Sequence, residues 1–256
     1  MDLHLSDKHI LITGGSKGIG LACAQGFLAE GARVSLVSRD SANLDAARAQ
    51  LQATFPAERI HTVAANLRDA SAALAALDSA EAAFGPVDVL VNSAGAAKRT
   101  PAPELTPEAF ADAMQAKYFT TIHMLTPCIQ RMAARGQGAV VNVVGNGGKV
   151  ASPIHLPGGA ANAALMLVSA GHPCECGEPR ADLDGPPARG HGGRCAPQGH
   201  RDRRGHGTSR RQNPVGPHGR ARGNRQCRAV SGLVQSQLRH RHLHEHGRGA
   251  EPDRGV

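Results

Sequence analysis

The stretch that most limits what this chain can become is K-H-I-L-I-T-G-G-S-K-G-I-G, residues 8–20. Residues 9–12 are a short apolar run of the kind that makes a buried parallel strand. Gly14, Gly15, Gly18 and Gly20 then interrupt it, and residues 19–29 resume with helical spacing. A glycine-rich turn between strand and helix points backbone N–H groups outward at the positive end of the helix dipole. Phosphate binds there with no side chain in the way. Gly14 permits the turn, Gly18 allows close approach of a pyrophosphate, and Gly20 lets the helix lie on the sheet. Spaced glycines alone also occur in ordinary turns, so the stretches that follow decide the reading.

Those stretches repeat the pattern. Strands are expected at residues 33–39, 59–65, 87–91 and 138–144, and helices at 42–53, 70–84 and 159–170. Residues 107–135 read as two helices that meet near Lys117. Strands alternating with helices at this spacing imply an α/β fold, a doubly wound parallel sheet with helices on both faces. Ligands of such sheets bind beyond the carboxyl ends of the strands. The glycine turn, Arg39 and N-S-A-G at residues 92–95 would all lie there.

The pattern stops at about Gly171. Residues 1–171 carry thirteen acidic and thirteen Lys/Arg side chains and balance. Residues 172–256 carry sixteen Arg, no Lys and eight acids, which accounts for the whole net charge of +8. That tail has nine His and no Ile, Phe, Tyr, Trp or Met. Two units follow: a dinucleotide-binding domain at 1–171 and an Arg/His/Gly/Pro-rich tail at 172–256, whose composition cannot bury a core. No apolar run is long enough to span a bilayer, and M-D-L-H-L-S-D-K has neither the basic region nor the apolar core of a signal peptide. A cytoplasmic location is expected. Six cysteines without regular pairing give no disulfide framework.

T-G-G-S-K-G-I-G at the first turn, N-S-A-G after the fourth strand and V-N-V-V in the fifth resemble the classical short-chain dehydrogenase/reductase family. The likeness covers residues 6–171 in order and spacing. It implies a Rossmann-type fold that is incomplete at its C-terminus, a nicotinamide dinucleotide, and reversible oxidoreduction of a carbonyl/alcohol pair on a small molecule, in a homo-oligomer. It implies that Gly14, Ser16, Gly18, Ile19 and Gly20 line the pyrophosphate. Asn66 stands where the family often has an Asp near the adenine, and Asn92, Ala94 and Gly95 would flank the adenosine ribose.

Charge then chooses the nicotinamide. An acid at the end of the second strand would bond the ribose 2′-OH and repel a 2′-phosphate. That position holds Ser38, followed by Arg39, with Lys17 in the glycine turn. Cations around a hydroxyl favour NADP(H) through charge-assisted hydrogen bonds. The plainer alternative makes Lys17 and Arg39 solvated surface cations.

The family's acid–base residues do not carry over. By the resemblance, its Ser position falls on Gly145, its Tyr position on Gly158, its Lys position on Asn162 and its Asn position on Lys117. General acid catalysis needs a titratable group within reach of the substrate oxygen, and glycine offers none. Impaired or absent reductase activity is the expectation. Tyr118, Lys149 and His155 lie nearby as possible substitutes, His155 because imidazole titrates in the right range.

The tail admits three readings. An Arg-rich segment could hold polyanions without specificity, although no aromatic is present for base stacking. Cys174, Cys176, Cys195 and Cys227 with scattered His lack the regular frame of a metal site, so no metal is expected. The third reading is a frameshift. If hidden codons begin at the second base of each written one, C-E-C-G-E-P-R-A can conceal A-N-A-V-N-P-G, and two later segments can conceal P-L-G-R…P-E-E-I-A and Y-V-T-G. These resemble the family's late motifs, in order and at one constant offset. A chain lacking the family's last strands would expose a sheet edge and aggregate readily.

Overall fold

The structure, a computed structural model, describes residues 3–96 and 98–171. The polyanion, metal and frameshift readings of residues 172–256 lie outside the described residues.

Five parallel strands form one sheet: β1 (His9–Thr13), β2 (Arg33–Ser38), β3 (Ile60–Ala64), β4 (Val89–Asn92) and β5 (Ala139–Asn142), in the order β3-β2-β1-β4-β5. Six helices connect and cover them: α1 (Gly18–Ala29), α2 (Ser41–Gln52), α3 (Ala70–Phe84), α4 (Pro107–Ala113), α5 (Thr120–Ala134) and α6 (Leu156–Gly171). β1 and β4 are buried along their whole length, which is why their sequences run apolar instead of alternating.

The period of the strands divides the core in two. Ile10, Ile12, Val34 and Leu36 face one side, with Phe27 of α1 and Leu44 and Leu51 of α2. Leu11, Val37, Leu90 and Val140 face the other, with Leu77 of α3 and Met124 and Leu125 of α5. The expected doubly wound sheet is therefore present through β5. Helix starts follow their caps: Asp40 accepts from the Asn43 N–H, Asp69 from those of Ser71 and Ala72, and Thr106 from that of Ala109.

Strand order reverses at β1, whose neighbours β2 and β4 leave in opposite directions. The crevice beyond the carboxyl ends of β1 and β4 is the place where such sheets bind ligands. The two helices expected across residues 107–135 are α4 and α5, joined by a π turn at Met114–Phe119 that contains Lys117. The widened turn is tied by hydroxyls: Thr120 donates to the Gln115 carbonyl and Thr121 to that of Lys117, each at 3.0 Å. A single π turn inside a helix recurs at functional sites.

Candidate active site

The crevice opens on the glycine turn. Gly14 and Gly18 have φ of +67° and +63°, a region costly for any residue with a Cβ. A Cβ on Gly14 would stand 2.9 Å from the Ala94 backbone, and one on Gly20 only 2.4 Å from the Gly14 carbonyl oxygen. The turn therefore rests directly on the N-S-A-G loop, and α1 starts directly under the turn. Lys17 caps α1 with extended backbone and no side-chain hydrogen bond, and no acid occupies the first turn. A cradle that Cβ atoms would fill, beneath a helix start with no side-chain cap, fits the pyrophosphate of a dinucleotide.

Beside it, Ser16 donates to Ser38 at 2.9 Å and so joins the glycine turn to the end of β2. Lys17 and Arg39 are exposed, and neither enters an ion pair among the described residues. Asp40, the residue after Arg39, caps α2 and accepts the Asn43 N–H at 2.9 Å. Asn66 is exposed in the loop after β3, and its side-chain oxygen accepts the Arg68 N–H. Ile19 packs against the α1/α2 side of the core, so its contribution to the cradle is backbone.

Asn92 turns its side chain inward, beneath the crevice. Its side chain is buried, donates to Asn142 Oδ1 at 2.9 Å and accepts from the Thr13 hydroxyl at 3.4 Å. Only its backbone is left for a ribose. The same Thr13 oxygen accepts the N–H groups of Ser93 and Ala94, and Asn142 donates onward to Ser169 of α6. This chain of amides and hydroxyls locks the ends of β1, β4 and β5 to α6. Thr13, Asn142 and Ser169 escaped the sequence reading; the one signal was a polar residue closing two apolar strands, V-L-V-N and A-V-V-N.

The second corner lies beyond β5. Lys117 Nζ donates to Asn162 Oδ1 at 2.8 Å, so the π turn and α6 meet through two of the four family positions. Asn162 is buried and Lys117 half-buried, and that burial lowers the Lys117 pKa from its ordinary 10.5. Gly145 adjoins the pair: a Cβ there would stand 3.0 Å from Asn162 Nδ2. Gly158 is buried in the first turn of α6, one helical turn ahead of Asn162. The loop after β5 lies directly on α6, since a Cβ on Gly148 would meet the backbone of Asn162 and Ala163 at 2.9 and 2.8 Å.

A cleft of ≈ 510 Å³ opens over this wall, lined by residues that include Arg99, Asn146, Gly147, Ser152, Ile154 and His155. The Thr100 N–H donates to the Ile154 carbonyl at 2.9 Å and joins the two loops that form it. Of the three substitutes considered, His155 alone lines the cleft. Tyr118 stands edge-on to Phe119, with ring centroids 5.2 Å apart, and Lys149 is exposed beyond the short turn Asn146–Gly148.

A doubly wound parallel sheet with a glycine cradle at its switch point is an arrangement that dinucleotide-binding α/β proteins share. The short chain dehydrogenase family matches residues 8–178, and the chain belongs to that family. D-threitol dehydrogenase of Mycolicibacterium smegmatis is 35% identical over 155 residues, 60% of this chain and 59% of that protein. The chain thus spans about three fifths of that relative's length. An NADPH-bound short chain oxidoreductase of Pseudomonas aeruginosa PAO1, which contains an atypical catalytic centre, superposes with a TM-score of 0.61 and 31% identity over 64% of each chain. An NAD+-bound xylitol dehydrogenase shares the fold at 23% identity and a TM-score of 0.60, over 64% of this chain and 63% of that one. Among the described residues no helix is long and apolar enough to cross a membrane.

Proposed function

We propose that this chain binds NADP(H) and acts on a carbonyl/alcohol pair, with the family's hydroxyl-based proton relay impaired by the replacements at 117, 145, 158 and 162. The observation that carries the cofactor choice is the commitment of Asp40 to the cap of α2. It leaves Ser38, Arg39 and Lys17 as the side chains able to meet a 2′-phosphate. The NADPH-bound relative with an atypical catalytic centre supports both halves of the reading.

In this reading the first-turn N–H groups of α1 hold the pyrophosphate, and Ser16 and Ser38 orient the adenosine end. A bound reduced nicotinamide supplies a hydride; the chain's own part is to place the carbonyl in the cleft. Gly145 and Gly158 provide neither a hydroxyl to hold that carbonyl nor a phenol to protonate it. Equilibrium titrations of the full chain with NADPH and NADH test the cofactor choice. NADPH is expected to bind more tightly, and Arg39→Asp to lower the NADPH preference by roughly 10-fold to 100-fold, the size of one or two charge-assisted hydrogen bonds. An unchanged preference would remove Arg39 from the site.

The sixteen Arg of residues 172–256 favour a second reading, a non-enzymatic dinucleotide-binding protein whose tail holds polyanions. Salt-dependent retention on nucleic acid, lost on deleting residues 172–256, would support it. Resequencing codons 165–256 separates it from a frameshifted tail, in which the shifted frame spells N-P-G, P-L-G-R and Y-V-T-G.

A further inference from the structure

Lys117 and Asn162 hold the two family positions with their residue types exchanged, and the fold joins them across 45 positions of sequence. An ammonium only donates, so the Asn162 oxygen faces Lys117 and its NH2 faces the opposite way. That way lies the glycine wall: Nδ2 stands 3.0 Å from the Cβ position of Gly145 and 3.5 Å from that of Gly147, a residue of the cleft. On the other side, the Lys117 stem lies against the N-S-A-G loop, where a Cβ on Gly95 would come within 3.0 Å of Lys117 Cγ. The amine therefore sits between the loop that borders the cofactor cradle and the wall of the cleft.

We propose that Lys117, held by Asn162, is the acid–base group of this site and gives its ammonium proton to the carbonyl oxygen of the substrate. The inference rests on the reading that the chain binds NADP(H) and acts on a carbonyl/alcohol pair. In the reducing direction the carbonyl carbon takes a hydride from a reduced nicotinamide dinucleotide, which leaves oxidised. The oxygen takes a proton from Nζ as the N–H bond breaks, and the neutral amine regains a proton from water in the cleft. In the oxidising direction the neutral amine accepts the alcohol proton. The exchange thus keeps one amine and one amide behind the glycine wall of the cleft.

Burial eases this chemistry, because it lowers the Lys117 pKa and weakens its hold on the proton. The titratable groups on the segments packed here are Glu108 and Asp112 of α4, Tyr118 of the same turn, His123 and Arg131 of α5, Lys98 and Arg99 beyond Gly95, and Lys149 and His155 between β5 and α6. None of them is a hydrogen-bond or ion-pair partner of Lys117 among the described residues, where its acceptor is the neutral Asn162. A structural role alone would make the pair a strut between the π turn and α6. A strut leaves the pH profile of the reaction indifferent to the Lys117 pKa.

The chain has five lysines, all within residues 1–171, so carbon-13 NMR at lysine Cε can follow each one in the full-length protein. The Lys117 resonance is expected to titrate below the ordinary lysine value, to be missing in Lys117→Arg, and to titrate higher in Asn162→Asp, where a carboxylate stabilises the ammonium. NADPH-dependent reduction of diacetyl and of phenanthrenequinone supplies the second arm. Its kcat/KM is expected to fall as pH rises through that pKa and to move upward with it in Asn162→Asp. Lys117→Met is expected to lose about 100-fold in kcat/KM with unchanged NADPH affinity. Wild-type rates in Lys117→Met, a break that ignores the NMR pKa, or NADPH binding with no turnover of either probe would each overturn the inference and leave the binding reading standing. Failure to bind NADPH would overturn the reading, and the inference with it.

Discussion

Two glycine-rich corners flank the carboxyl end of the sheet, and they use glycine for different physical reasons. In the first, Gly14 and Gly18 carry φ values that a Cβ would strain, and the backbone they shape has the form of a phosphate cradle. In the second, Gly148 and Gly159 have no positive φ and serve by lacking volume. A Cβ on Gly148 would strike α6, and one on Gly159 would strike the Gly147 carbonyl at 2.8 Å. The first corner has the form of a binding cradle, whereas in the second the loop and helix lie together around Lys117 and Asn162.

Substitution can separate the corners. The largest effect is expected for Gly20→Ala, whose methyl group meets a backbone oxygen that has nowhere to go. About 3 kcal/mol of stability should be lost in urea unfolding, and NADPH affinity should fall by roughly two orders of magnitude. Gly148→Ala should cost about 1–3 kcal/mol by forcing the loop off α6, while NADPH affinity stays close to that of the wild type. Equal losses of affinity in both variants would erase the distinction.

Acid should strike both corners together, through the sheet they hang from. His9 is fully buried at the opposite end of β1, with Nε2 2.8 Å from the Ser35 hydroxyl and Nδ1 2.7 Å from the Gly85 carbonyl. Burial lowers its pKa from the ordinary 6.5, and His61 shifts the same way. Below about 6.5 the unfolded chain takes up protons that the folded chain refuses, so stability is full above that value and declines as pH falls toward the folded pKa. Urea midpoints should drop between pH 7.5 and 5.5, and His9→Gln, which keeps a donor and an acceptor without titrating, should flatten the decline. The smallest effect belongs to Gly145→Ser. Its Cβ meets only the movable tip of Asn162, so stability should change by about 0.5 kcal/mol or less. The Lys117 resonance should nevertheless shift as the amide gives way.

The first corner was legible because its signals are local. A β-branched run, a glycine turn and a helical period lie within residues 8–29, and the parallel sheet follows from their repetition. The break of the 107–135 helix near Lys117 was legible too, although not as a π turn, since its hydroxyl ties run from Thr120 and Thr121 back to carbonyls five and four residues earlier, respectively. The second corner was not legible. Read one position at a time, Lys117, Gly145, Gly158 and Asn162 are four losses; only the contact between the first and the last turns two of them into an exchange. The inward commitment of Asn92 was hidden for the same reason, because its partner Asn142 stands 50 residues away.

The most direct test is an NADPH fluorescence titration of the wild type beside Gly20→Ala, at a temperature where both are folded by circular dichroism. The chain has no Trp, so the nicotinamide signal is read without protein interference. Saturable binding by the wild type, lost or greatly weakened in Gly20→Ala, is the expected result. Binding that ignores the substitution, or no saturable binding at all, would contradict a preserved cofactor cradle.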